Sequence, residues 1–69
     1  MKNYIINKSK DNHNCNEVHT STCYRAQNIK EYEKLGIFNN ENEAVAYAKK
    51  HGYPNADGCF YCCPNAHTK

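Results

Sequence analysis

With 69 residues, 39% of them hydrophobic and none of them Trp, the chain suffices for a single domain (1–69) of a size that buries only roughly 60% of its unfolded surface. A formal charge of +2 is too small to mark an obligate nucleic-acid binder, and no apolar run approaches a membrane-spanning length. Five cysteines beside so thin a core point to a staple; their odd number and the lack of a secretory apolar segment after Met1 favour metal over disulfides, in a cytoplasmic, monomeric protein.

The first element expected is a strand over Asn3 to Asn7, where β-branched and aromatic side chains cluster around Tyr4-Ile5-Ile6. The polar stretch from Lys8 to Asn14 then reads as a long turn, and Asn16-Glu17-Val18-His19 as a second strand that closes a hairpin. Between Thr22 and Leu35 the apolar residues Tyr24, Ile29, Tyr32 and Leu35 recur at steps of three or more, which suits one or two short helical turns. Gly36-Ile37-Phe38 reads as a brief third strand.

The strongest local signal begins at Asn40. Asn40 serves as N-cap, Glu43 three residues on completes a capping box, and Glu41 and Glu43 favour the positive end of the helix dipole. A helix over about 41–51 follows, with Ala44, Val45 and Ala48 as its apolar face, extended by Tyr47. Lys49, Lys50 and His51 occupy the last turn, where positive charge is favoured, and Gly52 ends it. Residues 53–58 read as a turn-rich link. The fold class is therefore α+β: hairpin, short strand, one main helix and a terminal Cys-x-x-Cys turn.

Two spaced pairs carry the chemistry. His19 and Cys23 follow the second strand, and Cys59 and Cys62 follow the helix. Four imidazole or thiolate ligands in two short pairs meet the tetrahedral demand of one structural zinc ion, and a His ligand favours zinc over iron. A Cys-x-x-Cys turn also points backbone N–H groups at its sulfurs. A redox dithiol is the competing reading, but such a motif should follow a strand and open a helix, whereas here Pro64 comes close behind. His67 could replace His19 in a Cys-x2-Cys-x4-His arrangement. Cys63, adjacent to Cys62, reads as the spare thiol, and Cys15 as free or recruited in place of a ligand. His13 and His51 read as solvated.

The order of these features resembles the metal-binding domain at the N-terminus of Ada-type DNA alkylation-repair proteins, together with its small bacterial relatives. The residues that carry the resemblance are Val18-His19-Thr20-Ser21-Thr22-Cys23, Ile37 to Ala44, His51-Gly52-Tyr53 and Cys59-Phe60-Tyr61-Cys62-Cys63-Pro64. The resemblance implies a zinc-stabilised fold. In the Ada domain the first ligand is a Cys whose thiolate accepts a methyl group from a DNA phosphotriester; His19 stands at that position, so the methyl-acceptor activity is not implied. The segment Pro54-Asn55-Ala56-Asp57-Gly58 is a second departure, longer than the family's link.

Two functions compete. One is an interaction module for nucleic acid or a protein, with Arg25, Lys30, Lys34, Lys49 and Lys50 as candidate nucleic-acid contacts and Tyr24, Tyr32 and Tyr47 interleaved. The same cations are also balanced locally by Glu31, Glu33, Glu41 and Glu43, as on any solvated face. The other is a thiol-based redox sensor or alkyl acceptor using Cys62 and Cys63, helped by Cys15 or Cys59. A site closed by four ligands disfavours it, and the lack of an open coordination position or a general base argues against an enzyme.

Overall fold

The computed structural model describes residues 1–27 and 29–68. Four strands, β1 (Lys2–Asn7), β2 (Asn16–Thr20), β3 (Tyr32–Phe38) and β4 (Ala56–Gly58), form one sheet in the order β3-β1-β2-β4. The hairpin partners β1 and β2 are antiparallel, in the register Tyr4 to Thr20, Ile5 to His19 and Ile6 to Val18. On the far side of β1 lies β3, also antiparallel, whereas β4 runs parallel to β2. A single helix, α1 (Glu41–Lys50), connects β3 to β4, and single 3-10 turns occupy Tyr24–Ala26 and Pro64–Ala66. The α+β expectation holds.

Period two along the strands decides what faces what. Tyr4, Ile6, Val18 and Leu35 point to one side of the sheet and pack against Ala44, Val45 and Ala48 of α1. Ile6 and Val18 are fully enclosed, and burying such a side chain contributes about 1.5–3 kcal/mol. The alanines let the helix lie close to the sheet. Ile5 and His19 occupy the opposite side, and this is where the fold places its metal-ligating chemistry.

The helix ends follow from local sequence. Asn40 Oδ1 accepts the Glu43 N–H at 3.0 Å, as an N-cap should. The reciprocal bond is displaced by one residue, because Glu43 Oε1 accepts from the N–H of Asn39 rather than of Asn40. At the other end Gly52 takes φ +104° and the Tyr53 N–H reaches back to the Ala48 carbonyl at 3.1 Å, a Schellman closure. Tyr47 extends the apolar face only in part: its ring meets Phe38 and stacks on His51 at 3.9 Å between centroids, yet remains 38% exposed.

Three expectations are corrected. The third strand begins at Tyr32, not Gly36. Its pairing with β1 shifts register between Tyr4 and Ile5, leaving Leu35 as an extra residue beside Gly36 at φ +113°, and that bulge breaks the alternation by which a strand is recognised. Among the described residues, the helical reading of residues 22–35 survives only at Tyr24–Ala26, residue 28 lying outside them. The turn-rich link contains β4, whose Ala-Asp-Gly has no strand propensity and is extended by its pairing with the free edge of β2.

Candidate metal centre

Each ligand is delivered by a different local device. His19 is the penultimate residue of β2 and projects from the sheet face away from α1, 2% exposed. Cys23 follows a tight turn in which its N–H donates to the Thr20 carbonyl at 3.1 Å. Cys59 extends the β4 pairing by one residue, donating to the Val18 carbonyl at 2.9 Å, and the Cys63 N–H closes the next turn onto the Cys59 carbonyl at 2.8 Å. That turn returns Cys62 to the end of β2, where its sulfur accepts the Thr20 N–H at 3.4 Å.

One ligand atom from each of His19, Cys23, Cys59 and Cys62 lies within 4.8 Å of all the others. A tetrahedral zinc ion with Zn–S of about 2.3 Å sets its sulfurs about 3.8 Å apart. The set therefore closes on a metal with a contraction of about 1 Å at most. All five cysteines are free thiols. The fit is good in chemistry as well as in reach: three soft thiols and one imidazole, three of the four side chains buried, and a backbone N–H already directed at one sulfur.

The imidazole is oriented. Its Nδ1 is 3.8 Å from Cys62 Sγ, while Nε2 lies 3.5 Å from Glu17 Oε1. With the metal on Nδ1, the Nε2 proton faces a carboxylate, the usual support for a ligating histidine. Glu17 was not singled out from sequence, although position i−2 on a strand shares the face of His19 and could have been read from period two. Burial first, then the Arg25 guanidinium, pushes the His19 pKa down and keeps the ring neutral, the ligand form. Burial raises the Cys62 thiol, so a metal bound there would have to displace its proton, and it takes the neighbouring Cys63 to about 11.

The remaining sequence candidates lie elsewhere. Cys63 is 0% exposed and faces the apolar core, its sulfur 3.7 Å from that of Cys62. Cys15 is buried at the base of the hairpin loop, near the His13 carbonyl. His67 Nδ1 is 3.0 Å from the Gly58 carbonyl and 3.5 Å from Asp57. Asp57 itself accepts from the N–H and hydroxyl of Thr68. His13 and His51 are exposed, as expected.

The five cations are not gathered on one face. Arg25 lies beside the metal centre, its guanidinium 4.4 Å from the Tyr61 ring centroid. Lys34 lines a groove with Ile5, Ser21 and Thr22 on the sheet side away from the helix, whereas Lys49 and Lys50 end α1 on the other side. Lys30 is exposed in the turn before β3. Of the interleaved tyrosines, Tyr24 accompanies Arg25 beside Tyr61, whereas Tyr32 lines the groove with Lys34 and Tyr47 lies on α1.

Comparison with protein-family models, with curated proteins and with solved structures finds no match. No helix among the described residues is long and apolar enough to cross a membrane.

Proposed function

We propose that this chain is a small zinc-binding domain whose metal is structural and whose role is interaction with a partner, without methyl-acceptor activity. The observation that carries the reading is the convergence of His19, Cys23, Cys59 and Cys62 within 4.8 Å from the end of a hairpin and from a turn some forty residues away. Four protein ligands fill a tetrahedron and leave no position for water or substrate. The order of hairpin, strand, helix and Cys-x-x-Cys supports kinship with the small relatives of the Ada-type domain. His19 at the first ligand position supports the loss of methyl transfer, since an imidazole that donates its lone pair to zinc has none left to accept the methyl group. The thiol-sensor reading is weaker: Cys63 and Cys15 are enclosed, and burial raises the Cys63 thiol to about 11, away from the reactive thiolate form.

Elemental analysis of the purified chain tests the reading. Stoichiometric zinc is expected in wild type, His67→Ala and Cys63→Ser, and its loss in His19→Ala and Cys59→Ser. Zinc that persisted in His19→Ala but vanished in His67→Ala would overturn the ligand assignment.

A further inference from the structure

The two turns that carry the metal ligands also carry most of the exposed aromatic surface. Tyr24 follows Cys23, and Phe60 and Tyr61 fill the Cys-x-x-Cys turn; they are 62%, 61% and 54% exposed. Protein folding has no use for three large rings in water, yet they are not scattered. Tyr24 meets Tyr61 edge-on at 6.1 Å and 63°, Phe60 meets Tyr61 at 5.3 Å and 84°, and Phe60 meets His67 at 5.4 Å and 70°. Steep interplanar angles leave the faces of neighbouring rings unstacked on one another. Arg25 covers one face of Tyr61 and leaves the opposite face free of that contact.

Charge is segregated in the same direction. Segments 18–30 and 58–68, which hold all four ligands, contain Arg25 and Lys30 but no Asp or Glu; all seven acidic residues fall outside them. A divalent metal with three thiolates leaves one formal negative charge, which those cations outnumber. The neighbouring carboxylates are engaged: Glu17, 34% exposed, faces His19, Asp57 is held by Thr68 and His67, and Glu41 accepts the Asn65 N–H.

We propose that Tyr24, Phe60 and Tyr61, with Arg25 and His67 beside them, form a docking surface for single-stranded nucleic acid, its unpaired bases stacking on the rings and its phosphates meeting the cations. The proposal deepens the interaction-module reading, because the metal is what holds both turns together. Exposed aromatic rings suit bases, which a duplex hides inside its stack. The patch has no aliphatic member to fill a protein's pocket, and Arg25 at its centre, with no acidic residue among its five members, suits a polyanion.

The test is fluorescence anisotropy with the full, zinc-loaded chain and a labelled oligonucleotide of about eight residues, single-stranded and as duplex. Expected are preference for the single strand, quenching of tyrosine emission, and a slope of log K on log salt of about −1.4 for two phosphate contacts. Tyr61→Ala and Phe60→Ala should each weaken binding about tenfold, Tyr61→Phe should restore it, and Lys49→Ala should leave it unchanged. Zinc content and circular dichroism of every variant separate loss of the surface from loss of the fold. A zinc-loaded, folded wild type that binds no strand at low salt overturns the proposal and leaves the face to a protein partner. Equal affinity for duplex, or binding indifferent to Tyr61→Ala, overturns it as well. Binding by a chain that carries no zinc would sustain the docking surface while overturning the structural-metal reading.

Discussion

The sheet–helix core and the metal end are built by opposite means. In the core, Ile6 and Val18 are enclosed between β-strands and the alanines of α1, so apolar packing holds the elements together. At the metal end, the side chains buried between the turns are His19, Cys23 and Cys59, while the large rings face outward. Those buried groups attract one another weakly by themselves. A cation shared by them would replace the missing apolar core.

The difference is open to direct attack. Chelation should have the largest effect: zinc binding in small sites is worth on the order of 10 kcal/mol. Amide hydrogen exchange is expected to show protection lost around residues 20–27 and 59–67 before it is lost in β1 and α1. Simultaneous loss throughout would mean that the core does not stand without the metal end.

Gly58→Ala strikes the joint between the two regions. A Cβ there would sit 2.7 Å from the Cys63 carbonyl oxygen and 2.8 Å from the Ala66 Cβ, neither of which is the end of a flexible side chain. A loss of about 1–3 kcal/mol is expected in urea unfolding. A neutral result would show that the turn after β4 yields readily.

Smaller effects should come from the support of the ligands. Glu17→Gln should weaken zinc about tenfold in a chelator competition, with the fold retained. Acid should act in the same direction. The pKa of His19 is depressed below its ordinary 6.5 in the folded chain, so as pH falls through about 6.5 the unfolded chain takes up the proton first and folding is disfavoured. Zinc affinity should fall too, since thiol protons compete for the same sulfurs. A metal-free stability that rises between about pH 7 and pH 5.5 would contradict the depressed value. Asn40→Ala, which touches only the core region, should cost about 1 kcal/mol in thermal unfolding and leave zinc affinity unchanged.

Local signals were legible wherever chemistry and spacing coincide. Asn40, Glu43 and Gly52 announced the helix, and its observed span is Glu41–Lys50. Tyr4-Ile5-Ile6 and Asn16 to His19 announced the hairpin, and the ligand pairs announced a site whose four members converge. What failed to register were features made by pairing. Residues Tyr32 to Leu35 looked helical because the bulge at Leu35 interrupts their alternation. Ala56-Asp57-Gly58 looked like a turn because only the free edge of β2 makes it a strand. The five cations looked like one face because sequence cannot show that Lys34 and Lys49 lie on opposite sides of the sheet.

By itself, then, the sequence determined which atoms can bind a metal, where the helix starts and stops, and that apolar burial is scarce. Ligand chemistry and capping depend on residues a few positions apart, and such information is complete within a short window. Tertiary structure decided that β4 joins β2, that Glu17 backs His19, and that Tyr24 meets Tyr61 across 37 positions. Those relations depend on which strands become neighbours, and strand neighbours are chosen by the whole chain's burial.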